Sequence, residues 1–205
     1  MIFKDRREAG QLLAQKLVKH MGENTIVLGI PRGGVPVAYE IAGKLNCKLD
    51  IMLSKKISHP FNSQFAIGAV TLDSFIIDES GNIPKRYIEE EINELRSKLR
   101  EKNKLYRGNR APLILTNKKV IIVDDGIATG NTLLSTIEVL RKQKALEIIV
   151  ASPVVPADRV QIIAEAADEF VYLYAPLSFS GVGEFYQEFK QVSDEEVIEL
   201  LNAMN

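Results

Sequence analysis

The stretch that most constrains the fold covers residues 120–134 and reads VIIVDDGIATGNTLL. Its first four residues, Val120, Ile121, Ile122 and Val123, have the composition of a strand buried on both faces. Asp124 and Asp125 follow at the carboxyl end of that strand. A turn of small residues then runs from Gly126 through Ile127, Ala128 and Thr129 to Gly130. From Asn131 and Thr132 onward the pattern becomes amphipathic and helical. Strand, acids, tight turn and helix N-terminus together form a cradle for a phosphate, with room beside it for hydroxyls or a cation. An ordinary βα turn with two solvated aspartates has the same outline, so the remaining loops have to decide between them.

Upstream, leucines at helical spacing over residues 4–21 end at Gly22, and residues 25–30 (TIVLGI) form a short apolar run. Pro31, Arg32, Gly33 and Gly34 follow, then a helical pattern over 35–45 and a second strand over 49–53. Strand, glycine turn, helix and strand make a βαβ unit, which implies a parallel sheet. Downstream, residues 148–152 and 170–173 read as two further strands with a helix at 158–167 between them. The fold class expected is α/β: an open, mainly parallel sheet of about five strands flanked by helices.

Residues 58–110 differ in kind and read as an insertion into that core. Residues 65–71 and 74–77 look like a hairpin around Leu72 and Asp73. Pro84 suits the first turn of a long charged helix reaching residue 107. Ile88, Ile92, Leu95 and Leu99 give that helix a narrow apolar stripe, enough to cover a surface of its own domain or a partner helix in a homodimer. The tail, residues 175–205, carries a Gly/aromatic loop and then a helix whose Ser193 precedes Glu196 by three, the pattern of a capping box. One domain spanning 1–205 accounts for all of this.

The 26 basic and 27 acidic residues balance almost fully, which argues against a nucleic-acid surface. The basic run between Arg96 and Arg110 is interrupted by Glu101. A single cysteine, Cys47, excludes an internal disulfide framework and fits a cytoplasmic setting. The opening residues MIFKDRREAG carry charge where a signal peptide needs an apolar core, and no apolar run has the roughly 20 residues of a membrane span. Of the two histidines, His20 is expected at a helix end and His59 in a loop, with no spacing that suggests a shared metal.

Ligands of open parallel sheets bind outside the carboxyl ends of the strands. Three loops are expected there. Arg32 offers a planar fork of donors for phosphate oxygens, and Gly33 and Gly34 allow close backbone approach. Lys55 and Lys56 supply two point charges after the second strand. The turn from Gly126 to Asn131, with the hydroxyls of Thr129 and Thr132, suits a phosphate monoester. Neither a Walker sequence nor GxGxxG is present. The expected ligand is therefore anionic at both ends, with hydroxyls or a divalent ion in the middle.

VIIVDDGIATGNTL resembles the phosphoribosyl pyrophosphate (PRPP) motif of type I phosphoribosyltransferases. FKDRREAGQLLAQKL, VLGIPRGGVPVAYEIA, the KKI of residues 55–57, AIGAV at 66–70 and FYQEFKQVSDEEV extend the likeness to an uncharacterised bacterial and archaeal group of that family. The resemblance implies that Asp124 and Asp125 hold the ribose hydroxyls and help place Mg²⁺. It also implies that residues 126–132 hold the 5′-phosphate, and that Arg32, Gly33 and Gly34, with Lys55 and Lys56, hold pyrophosphate. Residues 58–80 would be a flap, and 175–205 a hood whose Val182, Phe185 and Tyr186 are candidates to meet the acceptor, although aromatics there equally suit a core. Ala128 stands where 6-oxopurine enzymes carry an aspartate, which weakens a hypoxanthine or guanine assignment. The chemistry implied is displacement of pyrophosphate by a small nitrogenous acceptor. Two alternatives use the same residues: a regulatory protein that senses PRPP or a nucleotide without turnover, and a receiver-like phosphoacceptor, which the Thr-Gly turn disfavours.

Overall fold

The computed structural model describes residues 1–77 and 83–204. Five parallel strands form the main sheet: β1 (Thr25–Gly29), β2 (Lys48–Ile51), β6 (Lys119–Val123), β7 (Glu147–Val154) and β8 (Glu169–Tyr174), in the order β2-β1-β6-β7-β8. Alternate residues of these strands feed two separate cores, as a sheet buried on both faces requires. Val27, Leu49, Ile121 and Ile149 point to one face, which α1 (Arg6–Lys16), α2 (Gly34–Leu45) and α6 (Asp194–Ala203) cover. Ile26, Leu28, Val120, Ile122, Ile148 and Val150 point to the other, beneath α4 (Asn131–Lys142) and α5 (Val160–Ala166).

This winding creates a switch point. From β1 the chain crosses one face through α2 to β2; from β6 it crosses the other through α4 to β7. The neighbours β1 and β6 therefore send their following loops apart, opening a crevice between them. Their register ends level, with Gly29 opposite Val123.

The expected hairpin is larger than two strands. Antiparallel β3 (Lys55–His59), β4 (Asn62–Val70) and β5 (Phe75–Ile77) form a sheet of their own, with bulges at Ser58 and His59. Lys55 and Lys56 thus open a strand, paired with Val70 and Ala69, instead of lying in the loop that follows β2. Strand β2 ends at Ile51, two residues sooner than its apolar composition suggests, because Met52 and Leu53 begin the crossing to the small sheet. Residues 78–82, within the expected flap and insertion, lie outside the described residues.

The long helix α3 (Lys85–Arg107) lays its stripe on the small sheet: Ile92, Leu95 and Leu99 pack with Ile57, Ile67 and Val70. At its far end Arg107 is buried, its Nε 2.8 Å from Asp50 Oδ1 and its Nη2 donating to Ile51 O at 2.7 Å. This pair fastens the insertion to the end of β2. The two ends of the chain are stitched together as well. Phe3 N donates to Phe185 O (2.7 Å), Gln187 N to Phe3 O (2.8 Å) and Glu188 N to Lys4 O (2.9 Å). Ser193 caps α6 by accepting from Glu196 N at 3.1 Å, as its spacing predicts. No helix among the described residues is long and apolar enough to cross a membrane.

Candidate active site

Two loops meet at the switch point. After β1, Ile30 N still donates to Val123 O (2.8 Å), which ties the first loop to the neighbouring strand before it turns. The turn is closed by Gly34 N donating to Ile30 O at 3.0 Å, and the Pro31–Arg32 peptide is cis. Gly33 and Gly34 are required here by the other loop. A Cβ on Gly33 would overlap the carboxylate of Asp125, and one on Gly34 would overlap Val123 O and come within 2.9 Å of Asp124 Cα. Arg32 is part-exposed, its Nη1 3.9 Å from Asp194 Oδ1, where Lys102 and Tyr106 of α3 also converge on the same carboxylate.

The second loop carries the acid pair. Asp124 Oδ1 accepts from Asp125 N at 2.9 Å. Burial, with the charge of Asp125 beside it, pushes the Asp124 carboxyl well above the usual carboxylate range. A hard oxygen donor short of positive charge suits a divalent cation such as Mg²⁺, so Asp124 fits the group that the resemblance implies. Asp125 is different: its Oδ2 lies 2.7 Å from Arg6 Nε, and that pair is nearly buried, with exposures of 13% and 11%. Sequence spacing assigned Arg6 no role, because 119 residues separate it from its partner.

Beyond the acids the loop divides into a buried part and an exposed part. Gly126 lies directly beneath Val182, whose methyl groups leave no space for a Cβ. Ile127 is buried in the core and its amide donates to Val154 O (2.9 Å), so it faces inward instead of toward an anion. Ala128 and Thr129 are exposed. Gly130, at φ +77°, turns the chain through the left-handed region into α4, and Asn131 and Thr132 open that helix at its exposed N-terminus. The first-turn amides of a helix have no intrahelical acceptors, so residues 131–133 present N–H groups at the crevice.

The expected acceptor residues lie against this loop. Val182 is half-buried on Gly126. Phe185 and Tyr186 are both buried, clustered with Phe3, Ala9 and Val154. The Tyr186 hydroxyl donates to Asp125 O at 2.6 Å, and burial followed by the nearby Asp125 charge pushes its pKa up. Lys55 and Lys56 start the small sheet, which packs beside α4.

A second cluster lies at the opposite, amino-terminal edge of the sheet. His20 Nε2 is 2.9 Å from Glu169 Oε2, and ligand atoms of His20, Glu147 and Glu169 fall within 4.8 Å of one another. Lys19 and Lys119 already pair the two carboxylates, so the group is balanced in charge. His20 thus ends its short helical turn on a carboxylate, and His59 sits in the other sheet at the end of β3.

The sequence profile of the Phosphoribosyl transferase domain family matches residues 4–173, which include both loops. The chain belongs to that family. Two Mycobacterium tuberculosis proteins, provisionally named phosphoribosyl transferases, are each 36% identical to this chain over 206 residues, covering 98% of it. It spans about half the length of those curated relatives, 46% of each. The crystal structure of TT1426 from Thermus thermophilus superimposes with a TM-score of 0.92 at 36% identity, covering 100% of this chain and 99% of that one. A Staphylococcus aureus hypoxanthine phosphoribosyltransferase shares the fold at 16% identity, with a TM-score of 0.51 over 87% of this chain and 79% of that one.

Proposed function

We propose that this chain is a Mg²⁺-dependent phosphoribosyltransferase, moving the phosphoribosyl group of PRPP to a small nitrogenous, nucleobase-like acceptor and releasing pyrophosphate. The observation that carries this reading is the contact between the two switch-point loops. Gly33 and Gly34 bring the backbone of the Arg32 loop against an acid pair whose own loop runs on into a helix N-terminus, an arrangement suited to a ligand with phosphate at both ends and hydroxyls between.

In this reading the first-turn amides of α4 and the hydroxyls of Thr129 and Thr132 grip the 5′-phosphate. Asp124 and Asp125 hold the ribose hydroxyls, and Arg32 with its loop holds pyrophosphate. A nitrogen of the acceptor attacks the anomeric carbon. The bond from that carbon to the pyrophosphate oxygen breaks, and pyrophosphate leaves with the electron pair. Mg²⁺, when bound, offsets the charge of the departing pyrophosphate. The chain supplies orientation and electrostatic stabilisation, and no covalent step is asked of it.

Incubation with PRPP, Mg²⁺ and a panel of bases should give pyrophosphate that depends on one acceptor. No acceptor-dependent release, with PRPP bound, would instead favour sensing without turnover. The burial of Phe185 and Tyr186 supports that second reading, because it leaves those rings packed in a core instead of open to a base.

A further inference from the structure

Arg6 has no place in the chemistry above, yet its environment is built with care. It occupies the first turn of α1, where the helix dipole disfavours a cation, so the helix itself gains nothing from it. Its guanidinium is held on three sides. Nε donates to Asp125 Oδ2 at 2.7 Å, Nη1 donates to Lys190 O at 2.7 Å, and Cζ lies over the Phe189 ring, 4.0 Å from its centroid. Around it the chain termini are clipped together by the hydrogen bonds of Phe3 and Lys4 to residues 185–188. Only a planar fork can make two directed bonds while lying on an aromatic face.

The contact continues past Asp125. The oxygen that Arg6 grips is the same one that lies over Gly33. A continuous line of contacts therefore runs from Phe189 and Lys190 through Arg6 and Asp125 to the Arg32 loop. Asp125 cannot swing freely: one oxygen is anchored, and its backbone carbonyl is held by Tyr186.

We propose that Arg6 is a positioning residue for the sugar of the donor. It anchors Asp125 by Oδ2 so that Oδ1 is presented, already oriented, to the ring hydroxyls of a 5-phosphoribosyl group. The C-terminal segment 185–190 takes part by holding the guanidinium flat. The inference rests on the phosphoribosyltransferase reading, because it assumes that the ligand beside Asp125 is a ribose.

The test compares two ligands by calorimetry: ribose 5-phosphate, and tetrahydrofurfuryl phosphate, which keeps the ring and the phosphate but lacks the hydroxyls. In Arg6→Ala, ribose 5-phosphate should bind about ten-fold more weakly, the scale of one charge-assisted hydrogen bond. Tetrahydrofurfuryl phosphate should bind as it does to the unaltered chain. Equal weakening of both ligands would mark Arg6 as merely structural, and no weakening of either would also overturn the proposal. Should Arg6→Ala fail to fold, Arg6→Lys is judged by the same comparison, since it keeps the charge and loses the fork. If the unaltered chain binds neither sugar phosphate, the phosphoribosyltransferase reading itself falls, which is a distinct result.

Discussion

Asp50 and Arg107 face each other at 2.8 Å with side-chain exposures of 9% and 6%, joining the end of β2 to the last turn of α3. Asp50 also accepts from the amides of Ile51 and Leu113, and Arg107 donates to Asn103 and Ile51 O. Every arm of the pair is thus engaged. Removing one partner strands the other charge without water. Arg107→Ala or Asp50→Ala should lower stability by about 3–5 kcal/mol. For a chain of this size the melting temperature should fall by roughly 10 °C. Replacing both partners together with apolar residues of similar volume should recover much of that loss, and thermal unfolding of the three variants checks it.

The two glycines of the first loop should respond differently to a methyl group. At Gly34 the obstruction is backbone, Val123 O and Asp124 Cα, which cannot move without disturbing β6. Gly34→Ala should cost about 1–3 kcal/mol through overpacking and lose PRPP binding with it. At Gly33 the obstruction is a side chain, Asp125, which can rotate at the expense of its bond to Arg6. Gly33→Ala should therefore spare most of the stability and weaken ribose 5-phosphate binding. Melting curves and calorimetry on both variants separate the effects.

These contrasts show which parts of the molecule a linear sequence exposes. The strand over 120–123, the helix after it and the stripe of α3 rest on local periodicity, and all three stand in the structure as β6, α4 and α3. The glycines of the first loop are legible as a close approach, but what the structure brings against them is Asp125 and Val123. Lys55 and Lys56 misled because a short charged segment after one strand looks the same whether it is a loop or the start of another sheet. Arg6 and Arg107 were invisible for a plain reason. Their partners lie 119 and 57 residues away, and no spacing rule links residues joined only by the tertiary fold.

Acid sensitivity should have an identifiable contribution from Asp168. Arg141 donates to its Oδ2 at 2.6 Å and Ile148 N to the same oxygen at 2.7 Å. The hydrogen bond from Arg141, chiefly, holds its carboxyl below the usual range. A lowered acid stabilises the fold above the ordinary carboxylate value of about 4, and that stability is lost as pH falls through the lower folded value. Both side chains are about two-fifths exposed, so the contribution should stay below about 1 kcal/mol. Asp168→Asn should lower stability at pH 7 slightly and flatten its decline below about pH 4. Urea titrations across that range measure the slope.

Gly130 connects backbone conformation to the first turn of α4, where we propose the 5′-phosphate binds. Its φ of +77° lies in the left-handed region, whereas a Cβ there would meet only ordinary contacts with Ile127 and Ile163 at 3.7 Å. The obstacle to a side chain is thus conformational and not steric. Gly130→Ala should cost about 1 kcal/mol in the folded state. The chain can relieve that strain by rotating the turn, which would re-aim the amides of Asn131 and Thr132 away from a bound phosphate. Ribose 5-phosphate affinity should then fall further than the stability does. Gly130→Asn, whose side chain tolerates the left-handed region better, should keep more of both. Equal affinity in Gly130→Ala and the unaltered chain would mean that the first turn of α4 does not hold the phosphate.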